Sequence, residues 1–166
     1  PGKFNELIIS LARNDDFCQI FDIPQKTKDE DVRHNNISDE LRNCKDFSTM
    51  KDVEIVLRFF ALRAIGLWDG TFSRFLDVFS ECMTGVKQEL LDDYKKLFEQ
   101  TISLANSIFD DKTFCFWRRN KQTGDFSWTR RPTLFIYDTV MTSLSYFIDK
   151  RSQLLANKEK INADYL

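Results

Sequence analysis

From Asp52 to Ile65 the chain reads DVEIVLRFFALRAI, and ten of these fourteen residues are apolar. Apolar side chains at that density cover nearly the whole circumference of a helix, whereas a surface helix shows one apolar stripe. Only Asp52, Glu54, Arg58 and Arg63 interrupt it. The stretch is expected to be a central, largely enclosed helix over about 50–65. Thr49 is its expected N-cap, which puts Asp52 at the third helical position, near the positive end of the dipole. Gly66 ends or weakens it.

The same helical spacing recurs on either side. Phe4, Leu7, Ile8 and Leu11 share one face; Asn14-Asp15-Asp16 then stops that helix and starts another, with Phe17, Ile20 and Phe21 inside and Pro24 closing it. Gln25 to Asn36 is polar and reads as an exposed loop. Ser38 caps a short helix around Leu41. Asp69-Gly70 is a turn, and Thr71 opens a helix whose face is Phe72, Phe75, Leu76, Phe79 and Met83. A longer helix is expected from about Val86 to Phe109. Pro132 suits the first turn of the next, which carries Leu134, Tyr137, Met141, Leu144 and Ile148. Residues 150–166 read as a terminal helix that frays. The fold class is all-α: a multi-helix orthogonal bundle around the helix at about 50–65, forming a single helical domain over 1–166.

One segment breaks the pattern. Between Asp111 and Arg131, Phe114 and Phe116 flank Cys115, and Phe126 and Trp128 flank Ser127. This insertion near 112–131 is either a small β-hairpin or an irregular, aromatic-anchored loop, with the loop preferred. It also concentrates charge: Lys112, Arg118, Arg119, Lys121, Arg130 and Arg131 stand against Asp111 and Asp125. Cationic side chains meet phosphates and exposed aromatics stack on bases. Lys112, Arg118, Arg119, Lys121, Trp128, Arg130 and Arg131 are therefore the candidate nucleic-acid-binding residues. The competing reading, slightly preferred, is that the aromatics plug the core and the charges are merely solvated.

Composition narrows the field further. A length of 166 residues corresponds to about one domain, with 42% hydrophobic and 30% charged residues. Sixteen Phe make disorder throughout untenable. The net charge of −2 gives no global signal for a polyanion or a membrane surface. No apolar run approaches the roughly 20 residues of a membrane span. Cys18, Cys44, Cys82 and Cys115 are widely spaced and read as free, buried thiols of a cytoplasmic protein.

Catalytic signals are weak. His34, the only histidine, lies in the polar loop with no companion ligand, so no metal site and no nucleophilic triad is expected. No phosphate-cradling glycine loop occurs, so no cofactor is assigned. The adjacent acids Asp15-Asp16, Asp92-Asp93 and Asp110-Asp111 diverge by about 100° on a helix and read as solvated faces and caps. Glu54 and Arg58, four apart in the favourable order, are read as a structural ion pair on the enclosed helix.

Met50 to Leu62 (MKDVEIVLRFFAL) resembles a segment of the GmrSD-type restriction endonuclease N-terminal-domain family, a bacterial family built on a ParB-like core. Gly2 to Ile8, followed by Leu11-Ala12-Arg13-Asn14, resembles the helix after that core. Arg130-Arg131-Pro132-Thr133-Leu134-Phe135 resembles its late helix but lacks the Asn usual there. The family's DGQQR motif, implicated in nucleotide hydrolysis and restriction of modified phage DNA, is absent, so no catalytic residue carries over. Pro1-Gly2-Lys3-Phe4, without an initiator Met, reads as the start of a piece of a longer protein. The resemblance implies a non-catalytic helical domain of a restriction or phage-defence protein. Its partner would be an N-terminal nuclease-like domain of the parent chain, and it would help to hold DNA. The alternative is a protein-interaction helical module with no nucleic-acid role. That alternative predicts an exposed apolar patch on the Phe4–Phe21 helices.

Overall fold

In the computed structural model, residues 2–25, 37–68, 70–119, 121 and 124–164 are described. His34, most of the polar stretch at 25–36, and Asp69 of the Asp69-Gly70 turn lie outside them. The architecture is helical, as the apolar spacing predicts: ten α-helices and one two-stranded sheet occur among the described residues. The chain forms two compact units, Pro1–Lys96 and Leu97–Leu166.

In the first unit, α1 (Lys3–Leu11) and α2 (Asp15–Phe21) are joined through Asn14, whose side chain accepts from the Phe17 amide at 3.1 Å. Two short helices, α3 (Asp39–Asn43) and α4 (Lys45–Ser48), lead into α5 (Lys51–Arg63). Ser38 caps α3 as expected, and Thr71 caps α6 (Phe72–Cys82). The central helix is α5, which packs against α1, α4 and α6. Its enclosure is one-sided, however. Ile55, Val56, Phe59, Phe60 and Ala61 are buried, whereas Lys51 and Glu54 are exposed and Val53 and Leu57 half-buried. Ile65 falls past the end of the helix, in an exposed 3-10 turn at Ile65–Leu67.

Aromatic edges hold this unit together. The Phe60 ring lies 6.0 Å from Phe4, 5.0 Å from Phe59 and 4.9 Å from Tyr94, and Phe4 reaches Phe79 at 5.8 Å. Such ring pairs contribute about 0.5–1.5 kcal/mol each beyond their burial. Phe4, Ile8, Leu11 and Phe17 are all buried inside the unit. Leu7, Ile9, Ile20 and Phe21 of the same helices are half-buried.

The start of α5 differs from expectation. Its N-cap is Met50, in the left-handed region at φ 56°. Thr49 instead donates its hydroxyl backward to the Lys45 carbonyl at 2.7 Å and finishes α4. Asp52 therefore stands second in the helix, where its Oδ1 accepts from the Val53 amide at 2.8 Å. Its other oxygen pairs with Arg13, in the turn that follows α1; the Asp52 side chain is buried and the Arg13 side chain nearly so. The expected ion pair, Glu54–Arg58, is a long 3.8 Å contact with Glu54 half exposed. A pair that open to solvent contributes little. The Arg58 guanidinium also lies over the Phe72 ring, 4.1 Å from its centre.

The helix α7 (Gln88–Phe109) runs from the first unit into the second. In the second unit its Leu104, Ile108 and Phe109 form a core covered by Val140 and Leu144 of α8 (Leu134–Tyr146), by Ile148, by Leu154 and Leu155 of α9 (Arg151–Ala156), and by Ile161 of α10 (Lys158–Asp164). Polar contacts fasten the last helices to α7. Arg151 donates to the Gln100 carbonyl at 3.3 Å and Asn162 to the Ile108 carbonyl at 2.8 Å, and Lys158 pairs with Asp110 at 2.7 Å. Pro132 precedes α8 rather than sitting in its first turn; Thr133 is the N-cap residue.

Candidate nucleic-acid interface

Between α7 and α8 the chain forms a hairpin, not the irregular loop preferred from sequence. Strand β1 (Trp117–Arg119) pairs antiparallel with β2 (Phe126–Trp128), in the register Trp117↔Trp128, Arg118↔Ser127 and Arg119↔Phe126. Three pairs are too few to hold a ribbon alone. The stem supplies the rest. Thr129 donates its amide to the Phe116 carbonyl at 3.0 Å and accepts the Phe116 amide on its hydroxyl at 3.1 Å. Below that rung, the Phe114 carbonyl accepts the Thr133 amide at 2.8 Å, which ties the hairpin to the cap of α8. Phe114 itself is buried and meets Tyr137 edge-on at 5.0 Å.

Alternation along the strands sorts the remaining side chains. Trp117 and Arg119 share a face with Phe126 and Trp128. The Trp117 ring is near-parallel to Phe126, 17° apart at 6.4 Å, and edge-on to Trp128 at 5.6 Å. Trp117 is 38% and Phe126 57% exposed. The plugging role preferred from sequence is therefore filled by Phe114; Phe116, Trp117 and Phe126 face outward and Trp128 is half-buried. At the far end Gly124, at φ 79°, turns the chain so that its carbonyl accepts Arg119 Nε at 2.9 Å. This holds one guanidinium beside the rings.

Arg118, Arg119, Lys121, Trp128 and Arg130 line one open cleft of about 850 Å³, together with Ser127 and Thr129. Among the described residues none of its four cations is ion-paired. Two of the seven sequence candidates are placed elsewhere. Lys112 belongs to the 3-10 turn Asp110–Lys112 and pairs with Asp111 at 2.6 Å. Arg131 is exposed at the bend before α8 but does not line the cleft. Trp117 and Phe126, absent from the candidate set, are the most prominent rings of the ribbon. The signal for them was the alternation itself: once Phe126-Ser127-Trp128 is a strand, its partner must present Trp117 on the same side.

A second cleft, about 350 Å³ and almost wholly apolar, lies in the first unit between Ile9, Arg13, Phe47, Met50, Asp52 and Val53. The Arg13–Asp52 pair is part of its lining, with the guanidinium 4.9 Å over the Phe47 ring. No three His, Cys, Asp or Glu side chains among the described residues come together as a metal set. Among the same residues, no helix is long and apolar enough to cross a membrane. All four cysteines are free; Cys18 and Cys115 are buried, Cys44 is half-buried, and Cys82, contrary to expectation, is exposed. Compared with known protein families, with curated proteins and with solved structures, the chain matches none.

Proposed function

We propose that this chain is a non-catalytic helical module that contacts nucleic acid through the β1–β2 hairpin. The observation that carries the reading is the convergence of Arg118, Arg119, Lys121 and Arg130 with Trp128 on one cleft of the hairpin, whose strands also expose Trp117 and Phe126. Four cations concentrated there, in a chain of net charge −2, make a local polyanion site rather than a general one. The rings add a sequence-tolerant contribution that charge alone lacks.

The resemblance of residues 50–62 to the restriction-endonuclease family points the same way, toward support of a nuclease-like core and of its DNA. It locates no catalytic group in this chain. On this reading α5 is a scaffold: Asp52 holds Arg13 beyond the end of α1, Arg58 packs over Phe72, and Glu54 is half exposed.

The test is binding of the 166-residue chain to a fluorescent oligonucleotide over a salt series. Affinity that falls steeply with salt supports the reading. Absence of binding at low salt removes it. A protein-interaction role without nucleic acid would then stand in its place, with the exposed Phe135 of α8 the first residue to probe.

A further inference from the structure

We infer that the hairpin takes single-stranded nucleic acid, stacking bases on Trp117 and Phe126 while phosphates follow the Arg118–Lys121–Arg130 cleft. This rests on the reading of the hairpin as the polyanion contact and goes further, to the strand class. In a duplex the base faces are hidden in the stack, and only edges and backbone are offered in the grooves. The face carries Trp117, Phe126 and Trp128 with a single edge-reading group, Arg119, whose Nε is already held by the Gly124 carbonyl. It offers π surface, for which the partner must present unstacked bases.

The dimensions agree. Three paired residues rise about 10 Å, and a strand with bases stacked advances about 3.4 Å per nucleotide. The ribbon therefore accommodates roughly three nucleotides. Arg119 stands on the ring face, opposite Phe126, with its Nε held by the Gly124 carbonyl. This arrangement disfavours a lipid surface, because burying the rings among acyl chains would bury a guanidinium with them. Beside a polynucleotide the same guanidinium can stack on a base or meet a phosphate.

The experiment follows tryptophan fluorescence of the full chain during titration with oligothymidylate, oligouridylate and a thymidylate–adenylate duplex. Trp117→Ala and Phe126→Ala serve as variants; both side chains are exposed, so both variants are expected to fold. The inference predicts quenching by the single strands and at least about tenfold weaker binding of the duplex. It predicts a loss of about fivefold or more in single-strand affinity in either variant. The salt slope should be unchanged by those substitutions. With four cations engaged it should be about −3. The two single strands tell DNA from RNA by their relative affinities. Duplex binding equal to single-strand binding, with no effect of Trp117→Ala, overturns the inference and leaves the electrostatic contact intact. No binding to any oligonucleotide, or quenching by anionic phospholipid vesicles alone, overturns both.

Discussion

Replacing Asp52 by alanine tests the packing at the heart of the first unit. Asp52 is 1% exposed and Arg13 9%, and the two side chains are paired. The substitution removes the carboxylate that balances a buried guanidinium. That guanidinium sits over the Phe47 ring and beside Cys18, so it cannot swing to water without giving up its packing. Breaking a buried pair from one side costs about 3–5 kcal/mol. The lost hydrogen bond from the Val53 amide adds about 1 kcal/mol. Urea unfolding followed by far-UV circular dichroism reads the effect. With a slope of about 2 kcal/mol per molar, the midpoint should fall by roughly 2–3 M. The double variant Arg13→Met/Asp52→Leu should recover most of the loss, because no charge is then left buried. A loss below about 1 kcal/mol in Asp52→Ala would refute the claim that a buried pair ties the turn after α1 to α5.

Phe60→Ala should cost about 3–5 kcal/mol in the same assay, because it leaves a hole between Phe4, Phe59 and Tyr94. Thiol labelling of the native chain should modify exposed Cys82 first and leave Cys18 and Cys115 protected until unfolding. Burial holds the Cys18 thiol above its ordinary value of 9.0, against the opposing pull of the Arg13 charge. Its folded value exceeds its unfolded one, so its contribution to stability is full below about pH 9 and is lost as pH rises through the folded value; Cys18→Ala should abolish that part of the alkaline loss. Gly124→Ala places a Cβ at a positive φ and should cost about 1 kcal/mol of local hairpin order, read as faster amide exchange at Thr129.

Much of the helical frame was legible because its signal is local. Phe72, Phe75, Leu76, Phe79 and Met83 name a helix face by spacing alone, and Ser38 and Thr71 act on amides three residues away. The misreadings share a cause: each depended on a residue distant in sequence or on an unusual backbone angle. Asp52 looked like a terminal acid because Arg13, thirty-nine positions earlier, is its partner. Thr49 looked like a cap because nothing marks Met50 as left-handed; Met is not a residue that favours that conformation. The hairpin was legible only as the second of two readings, because its strands are three residues long and are held by Thr129 and Thr133 across the stem. The cluster of cations was visible as composition. Which of them share a cleft was not, and Lys112 and Arg131 were included for proximity in sequence alone.

The most direct test of the account compares salt slopes. Binding of a labelled single-stranded oligonucleotide is measured by anisotropy over a salt series, for the native chain and for Arg118→Ala/Arg130→Ala. In the double variant the slope of log affinity on log salt should become shallower by about 1.4, two phosphate contacts at about 0.7 each. Lys112→Ala, which changes a cation outside the cleft, should leave it unaltered. Binding whose slope is the same in the cleft variant and the native chain would contradict the placement of the interface on the hairpin.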